Sequence, residues 1–203
     1  MTDPIVTIVD DDEAVRDSLA LLLNFRGYRT RAYASAEAFL QAWRPDLRGC
    51  LLLDLRMGGM DGLALQQTLI QRNCTLSIVF LTGHGDLADA RAALKSGAVD
   101  FLEKPYEESA LLKAIAEAID RDTREFAAQT HFAEISARVE RLSERERQVM
   151  ALVTAGKPNR EIAVDLGISP RTVEVFKARM MEKMQARSVP ELVRMAMELG
   201  NSY

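Results

Sequence analysis

The chain has 203 residues, of which 48% are hydrophobic and 28% are charged. This balance is typical of a globular protein and excludes the fibrous and disordered classes. No apolar run approaches the roughly 20 residues that span a bilayer, and the first residues lack the basic segment and cleavage site of a signal peptide. We therefore expect a cytoplasmic protein with no membrane partner. Cys50 and Cys74 lack a CxxC spacing and accompany only two histidines, which favours reduced core thiols over a disulfide framework or a zinc site.

Charge is divided unevenly along the chain. Residues 1–122 contain 13 Lys and Arg against 19 Asp and Glu, a net charge of −6, whereas residues 123–203 contain 13 against 11, a net charge of +2. The hydrophobic pattern changes at the same place. We predict two domains with different partners, although an excess of two positive charges is by itself weak support for nucleic acid.

The first domain is predicted from alternating strands and helices. Short runs rich in Val, Ile and Leu are separated by amphipathic segments, and strands that are apolar on both faces indicate a parallel sheet covered on both sides. The predicted strands are residues 5–9, 28–33, 50–54, 77–82 and 99–103. The predicted helices are residues 13–26, 35–42, 60–72, 86–96 and a segment from 107 onward. The expected fold is α/β, with a doubly wound five-stranded parallel sheet.

Polar residues stand where the apolar runs end. Asp54 ends the third run, Asp10 and Asp11 follow the first, Thr82 ends the fourth and Lys104 follows the fifth. Ligands bind beyond the carboxyl ends of such strands, so we expect these groups to meet at one edge. Converging carboxylates need a cation, and oxygen ligands suit Mg²⁺, or Mn²⁺ in its place. In this setting Asp54 is predicted to accept a phosphoryl group, whereas alone it would as readily be a turn residue or helix cap.

These residues resemble the receiver domain of bacterial two-component response regulators, which has a CheY-like fold. The resemblance covers residues 4–122 and implies that Asp54 is the phosphoacceptor, with Asp11 the more direct metal ligand. The implied metal ligands are Asp10, Asp11 and Asp54. The implied switch residues are Thr82, Phe101 and Lys104. No catalytic residue beyond Asp54 and Lys104 is implied.

Four residues near this edge stand outside the pattern. Gly58 and Gly59 occupy the loop where the family commonly has Met-Pro, so we expect a looser loop and an altered phosphoryl lifetime. Asp12 lies beyond the acidic pair and is expected to favour a helix N-terminus. His84 is expected to be a loop residue rather than a catalytic one.

The second half of the chain shows no strand pattern. Residues 123–137 are charged and alanine-rich without Gly or Pro, and are predicted as a helical linker. Residues 138–203 are predicted to form an all-α domain of four helices. Ser143 and Glu146 have the spacing of a capping box at the start of the first of these helices.

A helix-turn-helix is predicted in the middle of this domain. A short helix at 159–166 is followed by a turn at Gly167 and by a second helix opened by Ser169 and Pro170. On one face of the second helix, apolar residues at helical spacing should pack on the core. These residues are Val173, Phe176, Met180 and Met184.

The other face of the second helix is suited to DNA. Glu174 can accept a hydrogen bond from cytosine N4, Val175 and Ala178 can contact thymine methyl groups, and the basic side chains, which include Arg179, can hold phosphates. The predicted DNA-binding residues are Ser169, Arg171, Thr172, Glu174, Val175, Lys177, Ala178 and Lys183. From this helix alone, an ordinary solvated surface remains an alternative.

Residues 138–202 resemble the LuxR-type four-helix DNA-binding domain. With the motifs GHGD, GAVDFLEKP, LSERERQVM and SPRTVEV, the whole chain is similar to the FixJ-like subfamily of NarL/LuxR regulators. The resemblance implies a sensor histidine kinase, a double-stranded DNA operator and RNA polymerase as partners, with a homodimer formed on phosphorylation and transcription activated. Phe176 stands where the family usually has His, and Lys157-Pro158 where Leu-Ser is more typical; both bear on the DNA target.

Two other functions stay open at this point. One is an aspartyl-phosphate phosphatase, although such enzymes typically carry DxDx[TV], which the DLRMG sequence at Asp54 lacks. The other is a constitutive DNA-binding transcription factor whose receiver only dimerises. We expect the chain not to be an enzyme beyond promoting its own phosphorylation and dephosphorylation.

Overall fold

The computed structural model describes residues 4–83 and 87–200. The chain divides into two compact units, Met1–Phe126 and Ala127–Tyr203. Among the described residues, the helices include none that is both long and apolar enough to cross a membrane. His84, which the sequence analysis assigned to a loop, lies outside the described residues.

The first unit is built on a five-stranded parallel sheet with the order β2-β1-β3-β4-β5. The strands are β1 (Ile5–Val9), β2 (Thr30–Tyr33), β3 (Gly49–Asp54), β4 (Ser77–Thr82) and β5 (Asp100–Glu103). The helices are α1 (Glu13–Phe25), α2 (Ala36–Ala42), α3 (Gly62–Gln71), α4 (Leu87–Lys95) and α5 (Glu108–Glu140). Alternating elements of this kind produce a doubly wound α/β layer structure, which confirms the predicted fold class.

Side-chain alternation along the central strands forms a core on each face of the sheet. Leu51 and Leu53 belong to one buried cluster, whereas Cys50 and Leu52 belong to the other. Successive side chains of a strand point to opposite faces, so a strand that is apolar throughout is buried from both sides. Cys50 is buried, Cys74 is half-buried, and both are free thiols, as predicted.

The start of α3 differs from the prediction by two residues. The helix begins at Gly62 instead of residue 60 because the Asp61 side chain caps it, accepting a hydrogen bond from Ala64 N. A Cβ on Gly62 would come within 2.5 Å of Asp54 O and 3.0 Å of Phe80 Cε1. Glycine is therefore required where this helix passes the end of β3.

A buried ion pair lies at the opposite end of β3. Arg48 Nη2 donates to Asp122 Oδ2 at 2.7 Å, and Gly49 N donates to the same oxygen at 3.0 Å. The Arg48 guanidinium also lies 3.7 Å from the centre of the Phe126 ring. This ion pair attaches α5 to the first residue of β3.

The second unit contains the C-terminal part of α5 and four further helices. These are α6 (Glu144–Thr154), α7 (Asn159–Leu166), α8 (Pro170–Met184) and α9 (Val189–Gly200). Ser143 and Glu146 form the predicted capping box, and Gly167 ends α7 in the left-handed conformation with φ of 64°. Ile135, Val149, Val173 and Leu192 are among the residues of a common core. Helix α5 also covers residues 123–137, whose role as a linker stays a prediction.

Candidate phosphoacceptor site and DNA-binding surface

The sheet register brings the predicted acidic residues together. β3 pairs with β1 and β4, so that Val9 lies opposite Leu53 and Asp54 lies opposite Leu81. Asp10 follows β1 directly and therefore lies beside Asp54. Both aspartates are buried, with 2% and 6% of their surfaces exposed, so each needs a polar partner.

Lys104 is the partner of both aspartates. Its Nζ donates to Asp10 Oδ2 at 2.7 Å and to Asp54 Oδ1 at 2.8 Å. The other oxygen of Asp54, Oδ2, accepts from Arg56 N at 3.0 Å. Lys104 directly follows β5. The carboxyl ends of β1, β3 and β5 therefore supply three charged side chains that are joined by hydrogen bonds.

Burial and charge act in opposite directions on these groups. Burial raises the pKa of Asp54 and outweighs the opposing effect of Lys104. Burial also opposes the charge on Lys104, but the hydrogen bonds to Asp10 and Asp54 prevail and the pKa of Lys104 is raised. Lys104 therefore stays charged at neutral pH, whereas Asp54 is a more basic carboxylate than an exposed aspartate.

The predicted switch residues border the cluster. Thr82 is fully buried at the end of β4, and its carbonyl oxygen accepts from Lys104 N at 2.6 Å. Phe101 is half-buried in β5, opposite Phe80, with 6.3 Å between the ring centres. Thr82 and Lys104 are thus joined by a backbone hydrogen bond, and Phe101 packs on the hydrophobic core beside them.

Asp11 has a different environment from Asp10. It is exposed, and its Oδ2 accepts a hydrogen bond from Gly58 N at 3.0 Å. The loop after β3 was expected to be looser because of its glycines, yet this bond attaches it to the loop after β1. Asp12 caps α1 by accepting from Ala14 N at 2.8 Å, consistent with its predicted role.

The acidic side chains suit a divalent cation in their chemistry. Asp10, Asp11 and Asp54 offer carboxylate oxygens, which Mg²⁺ and Mn²⁺ prefer. Within residues 4–83 and 87–200, however, no three or more His, Cys, Asp and Glu side chains are already grouped to hold a metal ion. Lys104 bonds to two of the carboxylates, and Gly58 bonds to the third. The donor set fits the ion, and the ligand assignment stays a prediction.

Two neighbours of this site were not predicted from the sequence. Arg16 Nη1 donates to Asp10 O at 2.8 Å from the first turns of α1. Tyr106 is half-buried close enough for Lys104, Asp10 and Asp54 to affect it, and burial raises its pKa. The position of Tyr106, two residues after Lys104, could have indicated that it lies near the site. For Arg16, the only indication of its hydrogen bond to Asp10 was its position early in the helix that follows Asp10.

The second unit presents the predicted DNA-facing residues on one side of α8. Arg171, Glu174, Val175 and Ala178 are exposed and line a single shallow depression. Val173, Met180 and Met184 are buried on the opposite side, with Phe176 packed against them, as predicted. The helix therefore has one core face and one face available to a partner.

The remaining predicted DNA contacts have varied surroundings. Ser169 Oγ caps α8 by accepting from Thr172 N at 3.1 Å, and the two hydroxyl groups are 2.8 Å apart. Lys177 is half-buried. Lys183 Nζ donates to the buried Glu146 at 2.6 Å, and this hydrogen bond lowers the pKa of Glu146. The Lys183–Glu146 pair could not be predicted from sequence because the residues are 37 positions apart.

The fold and the two sites define a receiver joined to a helix-turn-helix domain. Residues 6–116 match the response regulator receiver domain family, and residues 140–196 match the luxR family of bacterial regulatory proteins. Both matches fall within the predicted domains.

Relatives match over almost the whole chain. The transcriptional regulatory protein FixJ of Rhizobium meliloti is 49% identical over 201 residues, which cover 98% of each protein. The response regulator protein TodT of Pseudomonas putida is 37% identical over 198 residues, with 98% of this chain and 87% of TodT covered.

Solved structures agree with these matches. A low-resolution structure of the response regulator StyR matches with a TM-score of 0.90 and 38% identity, covering 97% of this chain and all of StyR. Full-length FixJ from B. japonicum matches with a TM-score of 0.60 and 44% identity, covering all of both chains. The chain belongs to the response regulators with a receiver and a LuxR-type DNA-binding domain, in the FixJ-like group. This family comprises transcription regulators rather than typical enzymes.

Proposed function

We propose that Asp54 is the phosphoacceptor of this response regulator. The observation that carries the proposal is the pairing of buried Asp54 with Lys104, which also bonds Asp10. In the reaction, an Asp54 oxygen attacks phosphorus, the bond from phosphorus to the donor breaks, and its electrons leave with the donor. The donor is a phosphohistidine of a sensor kinase or a small molecule such as acetyl phosphate.

The neighbouring residues have separate tasks in this mechanism. Asp10, Asp11 and Asp54 would hold Mg²⁺ or Mn²⁺, which supplies positive charge against the repulsion between carboxylate and phosphoryl group. Lys104 pairs with a phosphoryl oxygen, and the Thr82 hydroxyl donates to another. Movement of Thr82 allows Phe101 to change its packing. The same site promotes hydrolysis of the acyl phosphate, which returns the regulator to its starting state.

The phosphoryl signal is proposed to act through dimerisation and DNA binding. Residues 1–122 form the receiver, 123–137 a helical linker and 138–203 the DNA-binding domain. Two phosphorylated copies associate, and their α8 helices bind operator half-sites about one helical turn apart. Association raises the effective concentration of the second domain and so tightens binding. The bound dimer is proposed to activate transcription by contact with RNA polymerase, in the cytoplasm.

The proposed DNA contacts follow from the exposure of α8. Arg171, Glu174, Val175 and Ala178 reach base edges, and Lys177 holds phosphates. Ser169 and Thr172 lie at the N-terminus of the helix, where backbone amides bind phosphate. Lys183 has three donor hydrogens, of which Glu146 uses one, so it can contact phosphate without leaving Glu146.

The test is intact mass spectrometry after incubation with acetyl phosphate and Mg²⁺, with light scattering on the same samples. Wild type should gain one phosphoryl group and dimerise, and Asp54→Asn should do neither. Asp12→Asn is the matched control, because it removes a neighbouring charge while asparagine still caps α1. It should behave as wild type.

Three results would contradict the proposal. Phosphoryl gain by Asp54→Asn would show that another residue accepts the group. Equal operator affinity of unmodified and phosphorylated wild type would instead support a constitutive DNA-binding protein whose receiver only dimerises. Rapid turnover of a phosphorylated substrate, with no lasting adduct, would support a phosphatase.

A further inference from the structure

The loop between β3 and α3, residues 55–61, borders Asp54 and contains two adjacent glycines. Gly62 N donates to Leu55 O at 3.0 Å, which brings the two ends of the loop together. Gly59 has a φ of 86°, in the left-handed region that favours glycine. Because glycines have no side chain to pack, the position of residues 58–59 depends on backbone contacts.

Two backbone amides of this loop donate to carboxylates of the phosphoacceptor site. Arg56 N donates to Asp54 Oδ2 and Gly58 N donates to Asp11 Oδ2, both at 3.0 Å. Both carboxylates take new partners in the proposed reaction, because Asp54 forms a bond to phosphorus and Asp11 would hold the cation. A contact from outside the site is therefore the one that persists through the reaction.

Glu37 supplies such a contact. It lies in the first turn of α2, and its Oε1 accepts from Met60 N at 2.9 Å. A Cβ on Gly59 would come within 2.9 Å of the same oxygen, so glycine allows this close approach. Hydrogen bonds from its own backbone amide and from Met60 lower the pKa of Glu37, which keeps the side chain a carboxylate at neutral pH.

The helix that carries Glu37 is fixed in the core. Ala36 and Phe39 flank Glu37 in α2 and are fully buried in the same cluster as Leu53 and Leu55. Glu37 thus connects the middle of the loop to a helix that packs against the residues on either side of Asp54 in the chain.

We propose that Glu37 is a positioning residue of the phosphoacceptor site. By holding Met60, it keeps the Arg56 amide beside Asp54 and so speeds hydrolysis of the acyl phosphate. This inference rests on the assignment of Asp54 as the phosphoacceptor.

The effect on hydrolysis follows from where negative charge develops. Water attacks phosphorus, the bond from phosphorus to Asp54 breaks, and its electrons return to the carboxylate, while the water gives up a proton to solvent and inorganic phosphate leaves. The returning charge spreads over both oxygens of Asp54, and the Arg56 amide donates to one of them. A donor held where charge develops lowers the barrier.

The test compares Glu37→Ala with its matched control Glu37→Gln in the full chain. Both variants remove the charge at the start of α2, but glutamine retains an oxygen that accepts from Met60 N. Each protein is phosphorylated with acetyl phosphate and Mg²⁺, the donor is removed by desalting into buffer with Mg²⁺, and loss of the phosphoryl group is followed by intact mass. Glu37→Ala should lengthen the phosphoryl half-life roughly threefold, the loss expected for one exposed hydrogen bond, and Glu37→Gln should stay close to wild type.

Amide hydrogen exchange measured by NMR gives a readout that needs no phosphorylation. In the unphosphorylated chain without metal, the Met60 and Arg56 amides should exchange faster in Glu37→Ala than in wild type, because exchange reports local opening. Glu37→Gln should protect both amides as wild type does. The Ala64 amide, which donates to Asp61 at 2.8 Å, should be unaffected in all three proteins and serves as the internal standard for α3.

Several outcomes would overturn the inference. Equal half-lives of wild type and Glu37→Ala would show that Glu37 does not affect hydrolysis, and equal changes in both variants would assign the effect to the charge at α2. A shorter half-life in Glu37→Ala would mean that the loop excludes water instead. Unchanged exchange of the Arg56 amide in Glu37→Ala would refute positioning even if wild type gained no phosphoryl group, a result that by itself contradicts the assignment of Asp54.

Discussion

The bond between Asp11 and Gly58 predicts how one substitution changes metal binding. Gly58 N donates to Asp11 Oδ2 at 3.0 Å, and a proline at this position has no N–H to donate. Gly58→Pro therefore releases Asp11. Gly58→Ala retains the N–H, and its added Cβ would have no described atom within 4 Å. The two variants differ chiefly in the hydrogen bond.

The size of the expected change in Mg²⁺ affinity follows from the exposure of the Asp11–Gly58 hydrogen bond. A protein hydrogen bond contributes about 0.5–1.5 kcal/mol, and Asp11 is exposed, which places this bond in the lower half of the range. If Asp11 has to leave Gly58 to bind Mg²⁺, removing the bond should tighten Mg²⁺ binding by roughly two- to fivefold, since about 1.4 kcal/mol is a factor of ten. Gly58→Ala should bind Mg²⁺ as wild type does.

Calorimetric titration of Mg²⁺ into the unphosphorylated chain measures this effect. Proline also restricts the backbone of the residue before it, here the buried Met57, so thermal unfolding of each variant accompanies the titration. Weaker binding in Gly58→Pro with unchanged unfolding would refute the reasoning, because it would mean that Gly58 positions Asp11 for the metal. Equal affinities in all three proteins would show that Asp11 is not a ligand.

Three further predictions concern stability. Asp122→Ala leaves Arg48 partly buried without its carboxylate, which should cost about 3–5 kcal/mol; urea unfolding followed by fluorescence of Trp43 tests this, and a loss below about 1 kcal/mol would disprove it. Lys183→Met should lower the melting temperature of the second unit because Glu146 loses its cation, whereas Arg179→Met, at an exposed site on the same helix, should not. Asp54→Asn should stabilise the first unit at pH 7 in the presence of a chelator. The pKa of Asp54 is raised by folding, so its carboxylate destabilises the folded state increasingly as the pH rises above the ordinary value of 3.8. The stability gained by the substitution should therefore shrink in unfolding experiments near pH 4.

Local periodicity was sufficient to predict the elements that form the site. β3 is apolar from Cys50 until Asp54, and β4 is apolar from Ile78 until Thr82. The polar residue at the carboxyl end of each strand could therefore be assigned to one edge of a parallel sheet. The same reasoning separated the buried Val173 from the exposed Glu174 on α8. Helix periodicity specifies a face, and a capping residue specifies where the helix begins.

Pairing between distant side chains could not be predicted in this way. Arg48 and Asp122 are 74 positions apart, and each has many charged candidates elsewhere in the chain. The contact of Gly58 with Asp11 joins two loops whose backbone paths have no periodic signal. Such pairs depend on the packed geometry of the whole unit, which the spacing of residues within one element does not contain.

The ionic contacts at the two ends of β3 differ in whether they involve Asp54. All six residues of β3 are buried. At its carboxyl end Asp54 is bonded to Lys104, which precedes α5, and at its amino end Gly49 N is bonded to Asp122 within α5. If Asp54 accepts a phosphoryl group as proposed, the added negative charge lies beside Lys104 and Asp10. At the far end of β3, the charges of Arg48 and Asp122 already neutralise each other. The segment joining β5 to α5 therefore contacts Asp54 directly through Lys104, whereas the contact of α5 with Gly49 does not involve Asp54.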